Sequence, residues 1–114
     1  MAGYLTTHVL DTAKGTPAAG LAITLYRIEG QTRIEMARMV TNADGRTDAP
    51  ILPEAAFQIG AYELVFEAGA YLTDTGRPDS FLGEVPIRFR MSEADHYHVP
   101  LLLSPFGYST YRGS

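Results

Sequence analysis

The 114-residue chain contains no cysteine. This absence excludes disulfides, thiolate metal sites and a cysteine nucleophile. No apolar run approaches the roughly 18 residues needed to cross a membrane. No run of Lys or Arg forms the basic stripe that is typical of nucleic-acid-binding proteins. A net charge of −4 still permits a local positive pocket. The composition therefore predicts a protein with neither a membrane nor a nucleic-acid partner, and it leaves the binding of a small anion open.

The length predicts one domain, residues 1–114, which is large enough to bury a core without covalent cross-links. Residues 1–4 contain no basic segment followed by an apolar stretch, so we expect no signal peptide. The last residues do not match the common peroxisomal tripeptide. A cytoplasmic location is the resulting expectation.

Short runs of β-branched and aromatic residues alternate with clusters of Gly, Pro, Asn and Asp, which is typical of an all-β sandwich or barrel. The runs predicted as strands are 4–11, 21–29, 32–40, 61–67, 85–91, 96–103 and 108–112. The first run is predicted to end in a turn over 14–17. The one helical candidate is a short segment around 68–75, which Gly69 weakens. The sequence predicts a two-sheet β-sandwich of seven to eight strands with one short helix.

Two histidines, His96 and His98, share one face of a predicted strand because side chains two apart point the same way. Pro100 lacks an N–H donor, which predicts that this strand lies near an edge or a bulge. Three interpretations stay open: solvated surface histidines, two zinc ligands joined by His8, or acid–base groups. The residue types alone favour the first interpretation.

His8 lies between Thr6 and Leu10 on one face of the first predicted strand. A polar residue there is typical of a wet cleft or of an ordinary surface position. Arg46 follows a turn over 42–45 and is, by itself, most simply an exposed charge. The C-terminal segment is less ordinary, because residues 111–114 place an aromatic side chain and an arginine beside the final Gly-Ser.

A resemblance to a known family changes these interpretations. The block Thr7-His8-Val9-Leu10-Asp11, followed by Gly15-Thr16-Pro17-Ala18, resembles the first strand of transthyretin and its relatives, and Leu103-Ser104-Pro105-Phe106-Gly107-Tyr108-Ser109-Thr110 resembles their last strands. Histidine at positions 8 and 98, the turn 41–46 and the ending Tyr111-Arg112-Gly113-Ser114 resemble the 5-hydroxyisourate hydrolase branch and not the hormone carriers.

The resemblance implies a transthyretin-like sandwich that assembles as a homotetramer, with strands of two subunits facing across a central channel. It implies hydrolysis of 5-hydroxyisourate to 2-oxo-4-hydroxy-4-carboxy-5-ureidoimidazoline in urate degradation, with no metal or cofactor. The catalytic residues carried over are His8, Arg46, His98 and Ser114. The substrate-binding residues carried over are His8, Arg46, Tyr111, Arg112 and Gly113. His96 lies outside both sets.

Within this interpretation, either His8 or His98 takes a proton from the attacking water, and Arg46 stabilises the developing negative charge. Tyr111 contacts the substrate ring, and Ser114 positions His98 or the water. Three alternatives remain: a carrier of an apolar ligand, a zinc hydrolase that uses all three histidines, and a structural β-sandwich with no ligand.

Overall fold

Two four-stranded sheets pack face to face in the structure, a computed structural model that describes residues 3–113. The first sheet has the order β2-β1-β7-β8, formed by β1 Tyr4–Asp11, β2 Thr16–Pro17, β7 His96–Ser104 and β8 Gly107–Thr110. The second has the order β4-β3-β5-β6, formed by β3 Ala22–Glu29, β4 Thr32–Val40, β5 Gly60–Glu67 and β6 Glu84–Met91. Strands β1 and β7 pair in parallel, and the other pairs are antiparallel. The predicted all-β sandwich is confirmed.

The core lies between the sheets and follows from the period-2 alternation of the strands. Along β1, Leu5, Thr7 and Val9 are buried, whereas Thr6 and His8 between them are only half-buried on the outer face. Tyr62, Leu64 and Phe66 of β5 are fully buried on the opposing inner face, as their spacing predicts. The outer face of the first sheet is therefore free to carry polar side chains.

The predicted helix is present as α1, Ala68–Asp74, directly after β5. It has no side-chain cap, and it is held by burial of Tyr71 and Leu72. Gly69 fits because a Cβ there would lie 3.0 Å from the carbonyl oxygen of Leu82. No helix among residues 3–113 is long and apolar enough to cross a membrane.

A buried carboxylate ties the end of β1 to this helix. Asp11 is 1% exposed, accepts a hydrogen bond of 2.7 Å from the hydroxyl of Tyr71, and forms an ion pair with Arg77. Burial raises the pKa of Asp11, but these hydrogen bonds outweigh burial, and the pKa lies below its usual value. Burial, together with the carboxylate, raises the pKa of Tyr71 to about 12.

Three local predictions were wrong. Thr16–Pro17, predicted as a turn, pairs with the end of β1 as a two-residue strand. The last strand ends at Thr110 and not at residue 112. Strand β7 lies inside its sheet, between β1 and β8. Pro100 is tolerated there because the ladder to β8 stops one residue away, at Leu101↔Thr110.

Candidate active site

A cleft of about 540 Å³ lies on the outer face of the first sheet. All three histidines of the chain line it. Strands β1 and β7, the turn after β4 and the C-terminal segment together supply its walls, formed by Tyr4, Thr6, Thr7, His8, Leu10, Arg46, Thr47, Asp48, Ala49, Pro50, His96, His98, Pro100, Tyr111 and Gly113. Three imidazoles and one guanidinium, supplied by three separate segments of the sequence, thus meet in one place.

The turn after β4 places Arg46 beside His8. The side-chain oxygen of Asn42 accepts hydrogen bonds from the backbone N–H groups of Asp44 (2.9 Å) and Arg46 (3.2 Å). Gly45 adopts φ 74°, a conformation that glycine reaches without steric cost, and its carbonyl accepts a 2.8 Å bond from the N–H of Val9. Since Arg46 and His8 then form a β-bridge, their side chains are neighbours.

One ring nitrogen of His8 has no hydrogen-bond partner among the described residues. Among residues 3–113, its Nε2 atom is enclosed and has no hydrogen-bond partner. Burial lowers the pKa of His8 below 6.5, and the nearby Arg46 guanidinium lowers it further by repelling the imidazolium. The ring is therefore neutral at neutral pH, which is the state that a general base or a hydrogen-bond acceptor requires.

His98 is fixed by contacts on two sides of its ring. Its Nδ1 atom lies 2.8 Å from the hydroxyl oxygen of Thr6. Gly113 packs against the ring so closely that a Cβ there would lie 2.6 Å from Cδ2 of His98. Burial lowers the pKa of His98, and repulsion by Arg46 and by the other two histidines adds to this effect. Its centroid is 6.5 Å from that of His8, so one small molecule can contact both rings.

His96 also lines the cleft, although it is in neither the catalytic nor the substrate-binding set that the family resemblance implies. Its Nε2 atom lies 2.7 Å from the hydroxyl oxygen of Thr6, and its ring stacks on Tyr4 with centroids 4.1 Å apart. The sequence reasoning missed Thr6 as a site residue. The available signal was period-2 alternation, which puts Thr6 on the same face as His8. The parallel register that pairs Thr6 with His98 has no signature in the sequence.

The C-terminal segment divides between two sides of the sheet. Tyr111 and Gly113 line the cleft, and the N–H of Gly113 donates a 2.7 Å bond to the carbonyl of His98. The structure does not bring Arg112 into the cleft. Its guanidinium lies over the ring of Tyr97, 4.1 Å from the centroid, and also donates to Asp95. This follows from alternation, since Arg112 lies between two cleft-facing residues.

Ser114, predicted as catalytic, lies outside the described residues. Within residues 3–113, no three His, Cys, Asp or Glu side chains are grouped so that they could hold a metal ion. The described cleft therefore offers a different chemistry: neutral imidazoles that can accept a proton, beside a guanidinium that stabilises negative charge on oxygen.

Comparison with known proteins gives a consistent result. A family model described as the HIUase/Transthyretin family matches residues 5–113. The 5-hydroxyisourate hydrolase of Mesorhizobium japonicum is 63% identical, covering 98% of this chain and 93% of its own length. The 5-hydroxyisourate hydrolase 2 of Rhizobium meliloti is 60% identical, covering 98% of this chain and 97% of its own length.

Solved structures confirm the predicted fold. An (S)-allantoin synthase superposes with a TM-score of 0.91 at 43% identity over 98% of this chain, which spans only 44% of that longer protein. The Klebsiella pneumoniae 5-hydroxyisourate hydrolase gives a TM-score of 0.84 at 42% identity, covering 97% of this chain and 99% of its own. Sea bream transthyretin in complex with thyroxine gives a TM-score of 0.88 at 31% identity, covering 96% of this chain and 93% of its own.

Proposed function

The chain belongs to the HIUase/transthyretin family, and we propose that it is an enzyme of that family, a 5-hydroxyisourate hydrolase. It opens the cyclic amide of 5-hydroxyisourate with water and gives 2-oxo-4-hydroxy-4-carboxy-5-ureidoimidazoline, a step of urate degradation. The reaction uses no metal and no cofactor. The name carried by bacterial relatives of nearly the same length supports this activity.

The observation that carries the mechanism is the meeting of two histidines of lowered pKa with one arginine in a single cleft. His8 or His98 removes a proton from water as its oxygen attacks the amide carbon. Arg46 stabilises the negative charge that develops on the carbonyl oxygen. The leaving nitrogen takes a proton from a histidine as the C–N bond breaks. Proton removal from water needs a neutral imidazole, and stabilisation of the oxyanion needs a fixed cation. The histidine that has taken the proton then serves as the acid for the leaving nitrogen.

The tail completes the site in this proposal. Tyr111 contacts the planar ring, Gly113 lets the chain approach His98, and Ser114 contributes its hydroxyl or its terminal carboxylate. Arg112 binds substrate only if its guanidinium leaves Asp95, where it now donates a 3.1 Å hydrogen bond. A polar cleft of this kind suits a carrier of an apolar ligand poorly, because buried polar groups would lose their hydration without gaining partners.

We further propose that residues 1–114 form a single domain, that the chain assembles as a homotetramer, and that it is cytoplasmic. The tetramer rests on the family resemblance. The exposed aromatic pair Phe81 and Phe106, with centroids 6.3 Å apart, supports it, since exposed apolar clusters commonly mark interfaces. Light scattering coupled to size-exclusion chromatography tests the tetramer, and a monomer at micromolar concentration would refute the tetramer.

Ultraviolet absorbance during urate oxidation by a separate oxidase tests the activity directly. The purified protein, treated with a chelator, is expected to speed the loss of the transient 5-hydroxyisourate band. Unchanged decay in the presence of folded protein would refute the hydrolase. Activity that disappears on chelation and returns with zinc would instead refute the metal-free mechanism.

Single substitutions test the roles of the three residues. Removing a positioned base, in His8→Ala or His98→Ala, is expected to slow turnover by about 10²–10⁴-fold. Removing the charge stabiliser, in Arg46→Ala, is expected to cost about 10²–10³-fold. Arg38→Ala is the matched control, because it removes an exposed arginine from β4 on the other sheet. Normal turnover in all three site variants would refute the mechanism.

A further inference from the structure

One hydroxyl group joins two of the three histidines. The Oγ1 atom of Thr6 lies 2.7 Å from Nε2 of His96 and 2.8 Å from Nδ1 of His98. A threonine hydroxyl carries a single proton, so it can donate to only one of two neutral rings and must accept from the other. The protonated nitrogens of His96 and His98 are therefore coupled.

Two arrangements satisfy this constraint. In the first, Nδ1–H of His98 donates to Thr6, whose O–H donates to Nε2 of His96. The Nε2 atom of His98 is then unprotonated and can act as a base. In the second arrangement both hydrogen bonds run in the opposite direction, and His98 carries its proton on Nε2. Passing from one to the other moves protons along a chain of three groups.

We propose that Thr6 and His96 form a proton relay behind His98, an inference that rests on the proposed hydrolase activity. His98 is the base, Thr6 is the positioning residue that conducts the proton, and His96 holds it between the two halves of the reaction. Neither Thr6 nor His96 is in the set of functional residues that the family resemblance implies.

The proton balance is complete with water as the only co-reactant. As a water O–H bond breaks, its proton bonds to Nε2 of His98, and its oxygen forms a bond to the amide carbon. The Nδ1 proton of His98 passes to Thr6, and the hydroxyl proton passes to His96. His98 is then neutral with a proton on Nε2, and His96 carries the additional proton. As the C–N bond breaks, His98 donates its Nε2 proton to the leaving nitrogen while the proton held by His96 passes through Thr6 to Nδ1 of His98, so that His98 stays neutral. Return of the proton from His96 through Thr6 restores the first arrangement.

The charge beside His98 favours transfer of the proton away from this ring. His98 faces the guanidinium of Arg46, which opposes a second positive charge and contributes to its lowered pKa. The His96 ring instead lies flat on Tyr4. The backbone N–H of His96 donates a 2.8 Å hydrogen bond to the carboxylate of Asp95. These contacts hold the His96 ring beside the hydroxyl of Thr6. Other ionisable groups lining the cleft are His8, Asp48 and Tyr111.

Substitution of the conducting hydroxyl tests the relay. Thr6→Val keeps the shape of the side chain and removes the proton path, so kcat is expected to fall by about 10- to 100-fold. The value of KM should stay within about twofold, because the substrate still meets His8, His98 and Arg46. Thr6→Ser, which restores a hydroxyl, should recover most of kcat. The control Thr12→Val removes another hydroxyl bond to β7, which Thr12, the residue after β1, donates to the carbonyl of Leu103 outside the cleft.

His96→Phe supplies a second variant that preserves the stack on Tyr4 but cannot accept a proton. If the three groups act as one unit, kcat of the double variant Thr6→Val/His96→Phe should match that of the slower single variant. The ¹⁵N spectrum of the three imidazoles should show His98 protonated on Nδ1 in the wild type. The ring-nitrogen resonances of His98 should be shifted in Thr6→Val.

The outcomes separate the relay from the hydrolase activity. A wild-type protein that does not accelerate decay of 5-hydroxyisourate overturns the proposed function and the relay with it. A wild type that is active, with a Thr6→Val variant of equal kcat, overturns the relay alone. Equal losses in Thr6→Val and Thr12→Val would likewise overturn it, because they would show a structural effect.

Discussion

A methyl group added at Gly45 tests whether the turn after β4 must hold its observed shape for Arg46 to work. Gly45 has φ 74°, and a Cβ there would overlap the carbonyl oxygen of Val9 while lying 3.2 Å from Cδ2 of His8. Gly15 offers a matched comparison, because it has φ 73° but nothing within 4 Å of the same methyl group. The two substitutions share the backbone cost and differ in the space available.

The expected magnitudes follow from that difference. Gly15→Ala should destabilise by about 1–2 kcal/mol, the cost of a left-handed conformation for a residue with a Cβ. Gly45→Ala adds overpacking, typically about 1–3 kcal/mol. Relief of the overlap moves the turn and breaks the 2.8 Å bond from the N–H of Val9, which costs about 1 kcal/mol more. Since Arg46 is the next residue, a displacement of about 1 Å should also slow turnover by about 10²-fold.

Urea unfolding at one fixed protein concentration measures the stability difference between the two variants, and decay of 5-hydroxyisourate measures their activity. Gly15→Ala should keep turnover close to wild type, because residue 15 lies outside the cleft. Equal stability and equal activity in the two variants would refute the reasoning, since only the crowding around Gly45 distinguishes them.

Three further outcomes are expected. Because the pKa values of His8 and His98 are lowered from 6.5, the fall of kcat/KM with decreasing pH should have its midpoint below pH 6.5. A pH–rate profile with its acid inflection above 6.5 would contradict this. Asp11→Asn leaves Arg77 without its buried partner and should reduce the free energy of unfolding in urea by about 3 kcal/mol at pH 7. The pKa of Asp11 is lowered in the folded state, so this difference should shrink as the pH falls below 3.8, and an unchanged difference at acid pH would count against it. Gly113→Ala places a Cβ 2.6 Å from the ring of His98 and should reduce kcat at least tenfold with little loss of stability, whereas wild-type turnover would show that the tail need not approach His98.

The sequence was sufficient for the parts of the fold that depend on local pattern. Period-2 alternation predicted both ends of β1 correctly, and it placed the N-terminal ends of β5 and β6 within one residue. Pairing between distant strands has no such signature. The two-residue strand Thr16–Pro17 exists only because it pairs with the end of β1, and the interior position of β7 depends on two neighbours.

The candidate site shows the same division. His8 and Arg46 are separated by three strands in the sequence, β2, β3 and β4, and each alone resembles a surface residue. Their meeting depends on the bridge between them and on the hydrogen bond from Val9 to Gly45, neither of which a pattern encodes. The placement of Thr6 required the parallel register of β1 and β7. The family resemblance supplied the set that the residue pattern alone could not.

The location of the cleft explains how one sandwich can have relatives with different activities. His8, Arg46 and His98 lie on the outer face of the first sheet or in the turn beside it, whereas the core lies on the inner faces. An outward residue of β1 or β7 can therefore change without creating a cavity between the sheets. The structures of a thyroxine-bound transthyretin and of a hydrolase consequently resemble this chain about equally. Overall likeness cannot separate those activities, so the assignment of function must rest on His8, Arg46 and His98.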